Sequence, residues 1–154
     1  MAKARPVEIE AGMTFAQAAA VTVATRSHEL FACAPHVLET SDIEHVHDMR
    51  VASRRLRAAL EIFAPCFERK EHRRLLREVK RLGAALGARR DPDVQLAQLE
   101  QLRAKLGAAD RPGVDLLIER ARERQAAGNL VLSEALEAAL THDLRGRLEE
   151  LARP

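Results

Sequence analysis

One histidine and three arginines in this sequence are spaced to hold a chain of negative charges. On a helical wheel turning about 100° per residue, with His47 at zero, Arg50, Arg54 and Arg57 fall at about 300°, 340° and 280°. The four share an arc of roughly 80°, and the ladder climbs about 15 Å along the axis. Met49, Ala52, Leu56, Ala59, Leu60 and Phe63 fall between about 120° and 220°, a separate apolar stripe suited to a core. Arg55, at about 80°, lies off the basic stripe. The next helical segment repeats the design. Arg69, Arg73, Arg77 and Lys80 share one edge, with Arg81 beside them, and Leu75, Leu76, Val79, Leu82 and Leu86 form the opposite edge. Guanidinium forks match phosphate oxygens two at a time, which favours Arg over Lys for a phosphate-rich ligand. Two like-charged rows set side by side repel. The only acids between them are Asp48, Glu61, Glu68, Glu71 and Glu78. An arrangement that costs stability points to a ligand.

The elements that must position these rows follow from composition and punctuation. Apolar residues make up 47% of the 154 residues, enough to bury a core, while aromatics are 3% with no Trp or Tyr. Ala, Leu, Arg and Glu dominate, so helices are expected and base-stacking sites are excluded. Net charge is only +2, but it is unevenly spread. From His45 to Arg90 there are thirteen Lys and Arg against five Asp and Glu, whereas the remainder carries twelve against eighteen. That segregation points to a polyanionic partner. Cys33 and Cys66 form no CxxC pair, which fits a reducing compartment and argues against a zinc cluster. No apolar run is long enough to cross a membrane and no signal peptide is read at the start, so a cytoplasmic protein is expected.

Gly and Pro cut the chain into helical blocks. The first runs from about Thr14 to Cys33, with Thr14 and Gln17 as a capping box, and Pro35 closes it. The second starts at Ser41, with Glu44 three residues on, and stops before Pro65. A third spans about Lys70 to Leu86 with Gly87 as its stop. Asp91 then caps a fourth, with Pro92 in its first turn and Gly107 past its end. A fifth runs from about Pro112 to Leu140, interrupted at Gly128, and Thr141 caps a short last helix reaching Ala152. The expected fold is all-α: an antiparallel bundle of four main helices plus a long C-terminal helical segment, in one domain over residues 1–154.

The stretch His47-Asp48-Met49-Arg50-Val51-Ala52-Ser53-Arg54-Arg55-Leu56-Arg57 resembles the signature helix of the CHAD family, histidine-bearing α-helical domains that bind inorganic polyphosphate. The family pattern H-x-M-R-V-x-x-R-R-L-R is filled at every specified position. Lys80, Leu86 and Gly87, then Arg90-Asp91-Pro92-Asp93-Val94, are similar to the family's basic third helix and its R-D-x-D-V helix start. Glu10-Ala11-Gly12-Met13-Thr14 is similar to its lead-in to the first helix. The resemblance implies polyphosphate binding without catalysis and without a cofactor, carried by His47, Arg50, Arg54, Arg57 and Lys80. The wheel adds Arg73 and Arg77. Arg90 fits the motif either as a further contact or as the partner of Asp91 or Asp93 that orders the loop. Asp91 and Asp93 read as cap and dipole partners, not metal ligands.

Family members carry two similar bundles, and this chain resembles one of them. A two-fold homodimer would restore the other. Val114, Leu117, Ile118, Ala121, Leu132, Ala135, Leu136 and Ala139 offer an apolar stripe for it, or else pack on their own bundle. By the same resemblance, the protein is expected in the cytoplasm, associated with polyphosphate granules.

Other chemistries fit less of the sequence. A histidine phosphotransfer bundle would use His47 as phosphoacceptor, but wants Lys-Gly where Arg50-Val51 stand. A di-metal bundle needs repeated Glu-x-x-His, and His45 and His47 diverge by about 200° on a helix. Duplex DNA is a polyanion too, yet the basic stripe carries no Asn, Gln or aromatic base readers. Val7-Glu8-Ile9-Glu10 faintly resembles the E-x-E-x-K opening of tunnel-fold triphosphatases, but Gly12 stands at the lysine position. No enzyme activity is expected.

Overall fold

Helix α1 (Phe15–Ala32) starts where its capping box places it. Thr14 Oγ1 accepts from the Gln17 N–H at 3.2 Å, and Gln17 Oε1 accepts from the Thr14 N–H at 2.8 Å. The computed structural model describes residues 4–153, and all regular structure among them is helical. Four further α-helices follow: α2 (Glu44–Ile62), α3 (Arg69–Lys105), α4 (Arg111–Thr141) and α5 (Leu144–Leu151). Single 3-10 turns carrying Pro35 and Pro65 close α1 and α2.

Two caps differ from the sequence expectation. The Ser41–Glu44 box does not form; Asp42 Oδ1 instead accepts from the Glu44 N–H at 2.9 Å, so α2 starts at Glu44. Helix α5 is capped by Asp143, not Thr141. Asp143 sits in the left-handed region at φ 47° and accepts from the Gly146 N–H.

The larger correction concerns α3. The third and fourth expected helices are one helix of 37 residues, about 55 Å long, running through Gly87 and Pro92. Pro92 has no N–H, so the Ala88 carbonyl loses its helical partner. Gly128 of α4 lies against that carbonyl: a Cβ at position 128 would stand 2.7 Å from Ala88 O and 3.0 Å from Arg89 Cα. Gly128 is therefore no interruption of α4; it is where the two backbones touch. Arg89, fully buried, bridges the same region. Its Nη1 pairs with Asp93 one turn on, and its Nε donates to Asn129 Oδ1 at 3.1 Å. Gln125 Nε2 donates to Asp93 Oδ1 at 2.7 Å. The ion pair expected for Arg90 thus belongs to Arg89. Asp91 is not a cap, because the helix is already under way.

From this junction α3 and α4 run antiparallel and in register. Arg124 Nη2 donates to Gln95 Oε1 at 2.6 Å, and Arg103 pairs with Asp115 near the tip. Leu96, Val114, Ile118 and Ala121 form a small core between them. The main core lies on the other side of the junction, where α1, α2, the first half of α3, the second half of α4 and α5 meet around Val23, Leu30, Met49, Leu56, Leu75, Leu86, Leu132 and Leu148. Each buried leucine contributes about 1.5–3 kcal/mol of transfer energy. The fold is thus one bundle with a two-helix extension, where an antiparallel bundle of four main helices plus a long C-terminal helical segment was expected.

This arrangement uses most of the apolar stripe proposed for a dimer. Leu132 and Ala139 are buried in the main core, and Ala135 and Leu136 pack against it. Val114, Ile118 and Ala121 face α3, and only Leu117 stays exposed. Arg147 of α5 donates to Glu71 and Glu78 of α3 at 2.8 Å each, which docks the last helix.

Gly128→Ala should destabilise the protein by about 1–3 kcal/mol, because the atoms it would strike are backbone. Gly113→Ala, also in α4 but facing open space, should be neutral or stabilising. Urea unfolding of the two variants checks the contrast; equal midpoints would show that α3 and α4 do not touch at Ala88.

Candidate functional site

The apolar faces of α2 and α3 bury against the core and leave the two basic rows side by side at the surface. Three contacts fix how the helices lie. His72 Nε2 is 2.7 Å from the Leu60 carbonyl, Ser53 Oγ lies beneath Gly83, and the Arg50 guanidinium crosses Gly87. The pairing is antiparallel, with Arg50 beside Gly87 and Arg57 near Lys80. His72 is buried and spent on a late carbonyl of α2, so it serves the fold.

Between the helices lies a groove of about 310 Å³. Arg50, Arg54 and Arg57 of α2 and Lys80 of α3 line it, over a floor of Ser53, Val79, Gly83 and Ala84. Of the floor residues, Val79 was read from sequence as part of the apolar edge, Ser53, Gly83 and Ala84 were given no site role, and Gly87 was read as a helix stop. Its role is space: a Cβ there would stand 2.7 Å from Arg50 Nη1. The signal was available as two glycines one turn apart on the face opposite Arg50.

The remaining expected site residues fall elsewhere. Arg73 and Arg77 do not line the groove. They lie one and two turns before Lys80, in an open shelf of about 640 Å³ shared with Glu68, Arg69, Lys70 and Arg74. His47 is half-buried one turn before Arg50 and does not line the groove either. Arg90 is half-buried just past Gly87, and its Nη1 is buried without a hydrogen-bond partner among the described residues. Arg55 turns away from the groove toward Glu29. Burial pushes the Glu29 carboxyl up, but hydrogen bonds from Arg26 and the Arg5 N–H, the charge of Arg26 and, least, that of Arg55 hold it below its ordinary value. Arg55 also shares a shallow outer depression with Arg54 and Arg57.

The charge balance is set by one carboxylate. Lys80 Nζ lies 2.9 Å from Glu61 Oε1, and Arg57 Nε lies 3.8 Å from Glu61 Oε2. The Lys80 hydrogen bond, with the charges of Lys80 and Arg57, holds the Glu61 carboxyl below its ordinary value, although desolvation opposes it. Neutralisation inside the basic rows is thus greater than the sequence suggested. Among the described residues, no carboxylate lies within 4.0 Å of the guanidinium nitrogens of Arg50, Arg54, Arg73 or Arg77. Glu68, at the head of α3, closes that helix end itself by accepting from the Glu71 and Lys70 N–H groups at 2.7 and 2.8 Å.

A cationic groove between consecutive helices of an all-α domain is suited in charge and shape to an anionic ligand. Comparison with protein families places the domain further: the CHAD domain model matches residues 22–154, from within α1 to the end of the chain. The chain belongs to the CHAD-domain family. No curated protein and no solved structure matches it. Among the described residues, no helix is long and apolar enough to cross a membrane.

An NMR titration should find the Glu61 carboxyl ionising below the ordinary glutamate value of about 4.5, and Lys80→Met should move it upward. A midpoint unmoved by that substitution would mean the pair does not persist in solution.

Proposed function

We propose that this protein binds inorganic polyphosphate, without turnover, in the groove between α2 and α3. The observation that carries the reading is the convergence of Arg50, Arg54, Arg57 and Lys80 on a floor of small residues, with Arg50 and Arg54 left without a carboxylate partner. Membership of the CHAD family supports it. A row of guanidinium groups suits a ligand whose charges repeat along a flexible chain, because each phosphate can meet its own fork. Arg73 and Arg77 extend the track for longer chains. Arg90 adds positive potential beyond Gly87, and His47 adds a titratable donor one turn before Arg50. The groove is lined by cations and small residues, and Glu61 beside it is already tied to Lys80, which supports holding the chain and not cleaving it.

The phosphotransfer reading has less support. It needs an open imidazole, whereas His47 and Val51, one turn on, are both half-buried. The proposal includes action in the cytoplasm at polyphosphate granules. It also includes a homodimer that joins two tracks, meeting through the exposed Leu102, Leu116 and Leu117 of the helical extension and not through the buried Leu132.

Titration with long polyphosphate, duplex DNA and ATP in parallel tests the main claim. Polyphosphate should bind tightest, with affinity falling by orders of magnitude between low and moderate salt as counterions are released. Arg54→Glu should abolish binding, and Arg55→Glu should weaken it much less; equal losses would show that the ligand runs over the outer face of α2. Release of orthophosphate above that of an Arg54→Glu control would contradict binding without turnover.

Light scattering should give twice the chain mass of 17.1 kDa at micromolar concentration. Leu116→Glu should halve that value without unfolding the protein. Full affinity for long polyphosphate at the mass of a single chain would remove the dimer from the proposal.

A further inference from the structure

Among the described residues, Glu61 is the acid that pairs with two of the groove's cations, and its position is specific. Antiparallel packing sets it at the C-terminal end of α2, level with the stretch of α3 between Lys80 and Arg73. The groove ends there, and the shelf of Arg73 and Arg77 begins. One carboxylate oxygen lies 2.9 Å from Lys80 Nζ, and the other 3.8 Å from Arg57 Nε. Glu61 thus occupies the place that a phosphate would take between Arg57, the last cation of α2, and Lys80, the α3 cation of the groove. Its side chain is 42% exposed, so it is free to swing out without disturbing the core.

We infer that Glu61 is an internal counter-anion that divides the track into a closed groove and an open shelf, and that a polyphosphate must displace it to run from one to the other. This rests on the polyphosphate reading and adds to it a residue that sets which chains gain from the second sector. A short chain sits between Arg50 and Arg54 and leaves the Glu61–Lys80 pair intact. A long chain reaches Lys80, competes for its ammonium, and must pass a like charge on the way. Lys80 and Arg57 are held in place before the ligand arrives, at the cost of a bond that the ligand must replace. The device therefore raises the minimum charge and length of the anions that bind across both sectors. Small anions such as orthophosphate cannot replace both of Glu61's contacts and reach the shelf cations at once.

Glu61→Gln isolates the charge, because the amide oxygen still accepts from Lys80 while the repulsion is gone. Wild type, Glu61→Gln, and the triple variant Glu61→Gln with Arg73→Ala and Arg77→Ala would each be titrated with tripolyphosphate and with a long polyphosphate. A thermal melt confirms that each is folded. Glu61→Gln should bind the long chain about three- to ten-fold tighter at low salt, the size expected for one unit charge a few ångströms from a solvated ligand. Its salt slope should steepen by up to about one further counterion. Tripolyphosphate affinity should change less than two-fold. Removing Arg73 and Arg77 as well should erase the gain on the long chain. A long-chain affinity equal to or below wild type overturns the inference, as does an equal gain for both ligands. Failure of wild type to bind either polyphosphate is a different result: it overturns the binding reading itself, and this inference with it.

Discussion

The close approach of α3 and α4 at Gly128 is the constraint on which the rest of the structure depends. Pro92 removes a hydrogen-bond donor from the middle of α3, and a helix so interrupted ordinarily bends or ends. Here the exposed Ala88 carbonyl is covered by the backbone of α4, and no side chain at position 128 stands between them. Arg89 and Asp93, one turn apart and both buried, tie the turn across the proline, and Asn129 and Gln125 join them from α4, while Arg89 Nη2 and Asp93 Oδ2 stay without a hydrogen-bond partner among the described residues. An ion pair buried this way gains little over an apolar pair of the same shape, but losing one member would leave a charge stranded in the interior. Its contribution is therefore to continuity. Because α3 does not break, the wall of the groove is a rigid rod anchored on both sides of its glycines.

Rigidity matters because the groove works against its own charges. Arg50, Arg54, Arg57 and Lys80 would spread apart in a looser framework. The apolar faces behind them prevent it: Met49, Ala52, Leu56 and Leu60 from α2, and Leu75, Val79, Leu82 and Leu86 from α3, are all buried. Part of the repulsion is also offset locally by Glu61. Glu71 and Glu78 are drawn toward Arg147 of α5, so the last helix competes with the basic shelf for acids and leaves it more positive. The site's potential is thus partly set by a helix that does not touch the groove.

The readable part of the fold was what local chemistry determines. The capping box of Thr14 and Gln17 places α1, and the period of the leucines places the inner faces of α2 and α3. The basic stripe of Arg50, Arg54 and Arg57 fell correctly because a wheel needs only sequence. Gly87, Pro92 and Gly128 misled, each for one reason: their local tendency to stop a helix was overridden by a partner distant in sequence. Gly87 makes room for Arg50, thirty-seven residues earlier, and Gly128 makes room for Ala88. For the site, the wheel gave direction but not level. It could show that Arg73, Arg77 and Lys80 share an edge, but not that the end of α2 falls beside Lys80, which leaves Arg73 and Arg77 on an open shelf. Likewise R-D-x-D-V offered Arg90 a loop-ordering pair with Asp91 or Asp93, and only the third dimension shows that Arg89 takes Asp93, inside the fold.

A helix that is continuous through the groove and the extension also fixes a phase between them. Adding one residue between Gly87 and Pro92 would advance the distal half of α3 by about 1.5 Å and turn it by about 100°. The face that carries Leu96 toward Val114 and Ile118 would swing aside while the groove stayed where it is. The two regions are geared together through a single shaft, so the number of residues separating them is as constrained as their identities. Loop residues 106–110 at the far tip carry no such gearing, and a change of length there leaves the angular relation of groove and extension untouched.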